Sequence, residues 1–262
     1  MRPKVLNGSE RASGRSAKRA PQAEYSVAII CCYQECYTEC VKNVNLKAFG
    51  GLVYLFVVSI AMLFLPAWTF NYWQGWVYLA VFMISTSAIV LYLVRNDPEL
   101  MARRINNKEE ETSQKAIHFL VNVAFVAVTV LPVFDHRFAW SIVPVWVVIL
   151  GDTLVALGML IIFRVFKENS FTASTIQVAA DQKVISTGPY ALVRHPMYVG
   201  GLIFILGIPL ALGSWWGLLI VALFVPVLGW RILDEEKFLV KNLRGYKEYK
   251  DQVKYRLVPF IW

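Results

Sequence analysis

Read from its N-terminus, the chain is polar to about Asn45 and then alternates long apolar runs with short charged connections. The long runs cover about 51–68, 74–94, 117–134 and 144–166, and a close pair covers 199–212 and 215–230. A helix rises about 1.5 Å per residue, so roughly 20 residues cross a hydrocarbon layer about 30 Å thick. The four long runs therefore predict membrane-spanning helices. The pair, of 14 and 16 residues joined by Gly213–Ser214, predicts a helical hairpin that crosses a thinned bilayer or stops part-way. Gly200, Gly201 and Gly207 would let neighbouring backbones approach it closely. The expected fold is all-α: a polytopic membrane helical protein of about six hydrophobic segments, ending in the hairpin.

Composition strengthens this picture. Of 262 residues, 57% are hydrophobic, 14% aromatic and 17% charged, which is too apolar for a soluble domain of this length. The formal charge of +8 adds a direction. If the segments alternate sides from a cytosolic N-terminus, 25 of the 26 Lys and Arg fall on one face and only Arg137 on the other. Basic loops stay cytosolic, so both termini and the polar stretches Ser186–Gly201 and Arg231–Tyr249 are expected in the cytosol. No basic groove with interleaved aromatics stands on a separate domain, and no nucleic-acid partner is expected.

The polar start, residues 1–48, reads as a basic, disordered tail, with Arg2, Lys4, Arg11, Arg15, Lys18 and Arg19 set against Glu10. Such an arm is drawn to anionic lipid, and it also resembles an organellar transit peptide. Residues 49–166 hold the N-terminal transmembrane helices. Cys31, Cys32, Cys36 and Cys40 all lie in the tail, the last three on one helical face. Without a Cys-x-x-Cys pair or a nearby histidine they do not form a metal-site pattern, and no metal is expected. Reduced thiols, open to acylation near the membrane, fit better.

Between the second and third runs lies a charged loop with Arg95, Arg103, Arg104, Lys108 and Lys115 against Glu109, Glu110 and Glu111. His118 and an outer loop of Asp135, His136 and Arg137 are expected at the interfaces. Asp152 falls inside an apolar run, where an ionisable group needs a partner, and a structural hydrogen bond is expected there.

Candidate chemistry gathers in two places. Glu168–Thr187 is too polar to span and would wall a cleft on the basic face. Gly188–Pro189 then supplies a turn, and Pro196 suits the first turn of a helix, which puts His195 just ahead of a helix N-terminus. Across the hairpin, Arg231 and Glu235 are four apart and share a helical face, with Glu236 alongside and Asp234 a turn from Arg231. The hairpin should bring that face to Tyr190, His195 and Tyr198.

The run Gly188–Pro189–Tyr190 through Arg194–His195–Pro196–Met197–Tyr198–Val199–Gly200, then Arg231, Glu235–Glu236, Gly245–Tyr246, Tyr249, Arg256 and Pro259, resembles the C-terminal core of the isoprenylcysteine carboxyl methyltransferase family. The likeness spans about the last 90 residues and makes 167–262 the expected catalytic core; the first 165 residues share only a multi-span character. It implies an S-adenosyl-L-methionine-dependent methyltransferase with a cytosol-facing cofactor pocket, and the chain lacks the Gly-rich fingerprint of a dinucleotide fold. By match to the family, His195, Pro196, Met197 and Tyr198 would line the cofactor, Lys183, Val184, Ile185 and Tyr190 would add wall, and Gln177 matches at a different spacing. Glu235 would bind the cofactor, and Arg231 would orient a lipid-linked or small apolar acceptor at the bilayer.

Methyl transfer needs alignment and a setting for a sulfonium, for which aromatic faces and a carboxylate are suitable. A carboxylate acceptor, as on isoprenylcysteine, needs only Arg231 to hold it. A phospholipid amine or a small thiol must also lose a proton, which makes Glu235, Glu236 or His195 a candidate base. A non-enzymatic transporter or lipid-binding scaffold is the competing class, weakened by scarce intramembrane charge and the lack of a visible inverted repeat.

Overall fold

The structure, a computed structural model, describes residues 22–106, 112–171 and 183–262. The basic residues ahead of Gln22, the acidic run Glu109–Glu111, Gln177, and the side chains of the four cysteines and of His118 lie outside that description. Two units are distinguished, Met1–Lys42 and Asn43–Trp262. Both 49–166 and 167–262 fall within the second.

The described residues form helices and no strand: α1 (Gln22–Ala67), α2 (Trp73–Asn96), α3 (Pro98–Asn106), α4 (Thr112–Phe138), α5 (Val145–Glu168), a 3-10 turn (Gly188–Ala191), α6 (Pro196–Ala211), α7 (Gly217–Asn242) and α8 (Tyr246–Gln252). Five segments are long and apolar enough to cross a membrane, namely Val44–Ala67, Trp73–Asn96, Phe119–Phe138, Val145–Glu168 and Gly217–Asn242, and α6 is a shorter apolar helix. With their exposed apolar side chains, such as Phe49, Val57, Ile84, Leu160 and Leu223, they make an integral, multi-pass membrane protein.

Three boundaries differ from the sequence expectation. Helix α1 begins at Gln22 rather than near Gly51, because neither glycine nor proline occurs between Gln22 and Phe49 to stop it. Asp135, His136 and Arg137 occupy the last turn of α4 instead of a loop, and the chain breaks at Ala139, whose φ is 53°. The second arm of the hairpin is not short: α7 runs 26 residues, straight through Pro226 and past the charged Arg231–Glu236 face.

The turns α1–α2, α4–α5 and α6–α7 meet at one end, ringed by Trp68, Trp73, Trp76, Trp140, Trp146, Trp215 and Trp216, all exposed. Amphipathic rings in that position are the mark of a membrane interface. Beneath them Asp135 accepts hydrogen bonds from the Ser141 N–H at 2.7 Å and hydroxyl at 2.6 Å, and from the Ser214 hydroxyl. The Tyr72 hydroxyl donates to the Leu212 carbonyl at 2.7 Å, and its ring stacks on His136 at 3.9 Å. Burial pushes the Tyr72 hydroxyl pKa upward, so it remains a donor. Asp152 is buried, but its Oδ1 has no hydrogen-bond partner among the described residues, and the bond expected for that oxygen is missing.

Helix α6 packs most closely on α5, not on its hairpin partner α7. Small residues explain why. A Cβ at Gly151 would lie 2.1 Å from the Ala211 nitrogen, one at Gly158 2.6 Å from the Phe204 nitrogen, and one at Gly207 2.8 Å from the Gly151 oxygen. These neighbours are backbone atoms, which cannot rotate away. Gly158→Val is therefore expected to lower stability by about 3 kcal/mol, the upper end of overpacking costs, or to prevent folding; thermal unfolding in detergent would register it.

Candidate active site

At the end opposite the tryptophans, α4, α5, α6 and α7 diverge around a cavity of about 400 Å³. It brings together ten residues singled out from the sequence: Lys183, Val184, Ile185, Tyr190, His195, Pro196, Met197, Tyr198, Arg231 and Glu235. Its inner part is apolar, walled by Val121 of α4, Ile162 of α5, Leu202 and Ile205 of α6, and Phe224 and Leu228 of α7. The polar mouth thus continues into an oily interior between helices.

Local sequence sets up the mouth. Gly188 takes a φ of 56°, which side chains resist, and opens the 3-10 turn that carries Tyr190. His195 caps α6, whose first residue is Pro196. Tyr198, one turn inside α6, donates its hydroxyl to Glu235 Oε2 at 2.5 Å, while Arg231 Nε donates to the same hydroxyl at 3.2 Å. Arg231 and Glu235 share one face of α7, as their spacing required, and Tyr198 links them.

Tyr190 is fixed from both sides. The Asn169 amide donates to its hydroxyl at 3.0 Å, and the Tyr249 hydroxyl donates to its carbonyl at 2.8 Å. Burial is the main cause that pushes the Tyr190 hydroxyl up to about 12, and it raises Tyr246 and Tyr249 as well. All three stay neutral at cellular pH and offer aromatic surface with a dipolar tip.

Glu236 does not join the face of its neighbour. One residue on, it points about 100° around α7 into a buried clamp. Its Oε1 accepts from Arg194 Nε at 2.6 Å and lies 3.3 Å from His195 Nε2, and its Oε2 accepts from Arg256 Nε at 2.9 Å. Arg194 also donates to the carbonyls of Val253 and Lys254 at 2.7 and 2.8 Å. The backbone N–H groups of Arg194 and His195 donate to the Tyr255 and Arg256 carbonyls at 2.9 and 3.0 Å. The segment after α8 is thereby strapped across the start of α6. Glu236 is engaged by three cationic or imidazole groups, so it is a structural anchor and not the free base the sequence allowed. His195 lines the cavity with one ring edge held toward that anchor.

The anchoring role of Arg194 and Arg256, and the part played by Asn169, Tyr246 and Tyr249 in the wall, were not foreseen. The motif residues Gly245, Tyr246, Tyr249 and Arg256 carried the signal without a role attached. Gly245, with φ 85°, makes the tight turn that returns the chain to the cavity. Arg104 of α3, which in sequence belongs to a loop with the composition of solvated surface, lines the cavity too. Among the described residues no group of three or more His, Cys, Asp or Glu is arranged to hold a metal.

Residues 146–245 match the family model PEMT, phospholipid methyltransferase. That stretch runs from the start of α5 to the turn before α8 and includes the Arg194–Tyr198 and Arg231–Glu236 motifs, so the likeness to a membrane methyltransferase family lies in the part of the chain that builds the cavity. The delta(14)-sterol reductase TM7SF2 of Mus musculus is 33% identical over 91 residues, which are 34% of this chain and 22% of the reductase, so the chain spans about a fifth of that relative. Among solved structures, the eukaryotic intramembrane Ras methyltransferase ICMT (isoprenylcysteine carboxyl methyltransferase) is 16% identical with a TM-score of 0.45, over 89% of this chain and 91% of that one.

Proposed function

We propose that this protein, whose residues 146–245 match a phospholipid methyltransferase family model, transfers a methyl group from S-adenosyl-L-methionine to a lipid-linked or small apolar acceptor. The observation that carries the reading is the pairing, in one cavity, of the Tyr198–Glu235–Arg231 triad with an apolar interior bounded by α4, α5, α6 and α7. The cavity size, about 400 Å³, suits a ligand-sized molecule, within the roughly 300–1,000 Å³ of such sites.

The residues fit the cofactor. Glu235 sets a carboxylate beside Tyr198, and Tyr190, Tyr246 and Tyr249 add aromatic faces, the two features that favour a sulfonium. His195, Pro196, Met197, Lys183, Val184 and Ile185 complete that wall, and Gln177 remains an expectation from the motif. When bound, S-adenosyl-L-methionine supplies an electrophilic methyl group, which an acceptor lone pair takes in line as the sulfur leaves as a thioether. Arg231 holds and orients the acceptor by charge-assisted hydrogen bonding. A carboxylate acceptor needs no base. For an amine or thiol, Glu235 takes the proton that is released, Glu236 being engaged in its clamp. The buried tyrosines and the apolar interior keep water from competing as nucleophile. The basic loops lie on the cavity side and Arg137 on the tryptophan side, which supports a cytosol-facing site with both termini in the cytosol.

The identity to a delta(14)-sterol reductase favours one second reading, a reductase, whose chemistry requires a bound reductant, for which NADPH serves as the probe. Titration of the detergent-purified protein with S-adenosyl-L-methionine and, separately, with NADPH separates the two. Expected is saturable binding of S-adenosyl-L-methionine, weakened by about tenfold in His195→Ala, the loss typical of one buried polar contact. Absence of binding in wild type, or binding of NADPH alone, would sink the methyltransferase reading. Membranes incubated with methyl-labelled cofactor then identify the acceptor: base-labile label means an ester, stable label a nitrogen or sulfur product.

A further inference from the structure

The α5 wall of the cavity holds a charge for which the proposed chemistry has given no use. Arg104, near the end of the short helix α3, turns its guanidinium over the ring of Phe166 at 4.6 Å and lines the cavity. Among the described residues it makes no hydrogen bond or ion pair, whereas Arg194 and Arg256 each have a carboxylate within 2.9 Å. Burial pushes its pKa down. A guanidinium partly withdrawn from water gains from an anionic partner, and stacking on Phe166 alone returns only part of the cost of its burial. An aromatic platform restrains the plane of the guanidinium, whose fork of N–H donors can then meet a ligand in the cavity that Arg104 lines.

Position sharpens the point. Ile162, Phe166 and Asn169 fall on one stripe of the α5 end, at spacings of four and three, and Ile162 and Asn169 line the cavity beside Arg104. Glu235 and Arg231 belong to α7, which packs on α4 and α6, while α5 packs on α6 and α2. Arg104 and the Tyr198–Glu235–Arg231 triad therefore sit on different walls, joined by the apolar floor of Ile162, Leu202 and Ile205. A lipid lying on that floor would present its head group between the two.

We propose that Arg104 is a specificity-determining residue that binds the anionic group of the acceptor, a phosphate or carboxylate carried by a lipid whose hydrocarbon lies along the apolar interior. It deepens the methyltransferase reading and rests on it only for calling that lipid the acceptor. The same planar fork serves both anions, as a bidentate partner for carboxylate or phosphate oxygens.

Direct binding tests it in the detergent-purified full chain, with two matched pairs of probes. One pair is dioctanoyl phosphatidylethanolamine against dioctanoylglycerol, and the other is N-acetyl-S-farnesyl-cysteine against its neutral amide. Wild type is expected to prefer the phosphate- or carboxylate-bearing member of at least one pair by about tenfold or more, the size of one charge-assisted contact. Arg104→Gln should erase the preference and Arg104→Lys should retain part of it, with affinity for S-adenosyl-L-methionine unchanged to about twofold in both. The pair that shows the preference tells phosphate from carboxylate. Equal binding of both members in wild type, a preference that survives in Arg104→Gln, or a parallel loss of cofactor affinity in both variants would each overturn the assignment. If wild type binds no S-adenosyl-L-methionine yet shows the Arg104-dependent preference, the methyltransferase reading fails while the anion site stands.

Discussion

Glu236→Ala is expected to cost about 3–5 kcal/mol of stability, the range for removing one partner from a buried ion pair. The side chain is 5% exposed and serves Arg194, His195 and Arg256 together. Its removal leaves the Arg194 side chain, 3% exposed, with a charge and only backbone carbonyls to meet it. The strap after α8 should loosen with it, since the Tyr255 and Arg256 carbonyls are held by the backbone of Arg194 and His195. Chemical denaturation in a fixed detergent would measure the loss. A midpoint unchanged from wild type would mean the clamp is incidental. Glu236→Gln keeps the shape without the charge and should fall between the two.

The adjacent carboxylate should behave in the opposite way. Glu235→Gln is expected to leave the unfolding midpoint within about 0.5 kcal/mol of wild type, as for changes outside the packed core. Its methyl transfer, measured as kcat/KM, should fall by about 10²-fold, the upper part of what a charge-assisted contact contributes. The reason lies in the 2.5 Å bond from the Tyr198 hydroxyl, which orients a charge toward the cavity rather than into the protein. Unchanged kcat/KM with normal folding would remove Glu235 from the proposed chemistry. Two neighbours in sequence, one of stability and one of activity, make the comparison self-controlled.

Much of this was legible beforehand, for definable reasons. Long apolar runs can do little else than cross a bilayer, so the spans at Trp73–Asn96 and Val145–Glu168 were readable within two residues. The i, i+4 relation of Arg231 and Glu235 survives in any regular helix, and the hairpin had to return that face to Tyr198. What escaped reading depends on partners distant in sequence. Glu235 and Glu236 look alike as letters, and only the return of Arg256 and the position of Arg194 separate them. Arg104 sits in a charged loop whose composition is that of solvated surface, and its place over Phe166 depends on how α3 folds back under α5. The start of α1 and the end of α4 differ from the sequence expectation because polar residues alone do not end a helix, and no glycine or proline stands at those points to break it.

The glycine seam between α5 and α6 bears on how anything reaches the cavity. At Gly151, Gly158 and Gly207 the nearest neighbour across the seam is backbone, which has no rotamer to change and so cannot yield. The two helices then behave as one stiff plank. Breathing that admits a lipid from the side must be borne by the other wall, where α4 and α7 meet through longer, rotatable side chains such as Phe224 and Leu228. The protein would thus have a hinged side and a fixed side, with Arg231 and Glu235 of α7 on the moving leaf and Arg104 resting against the frame.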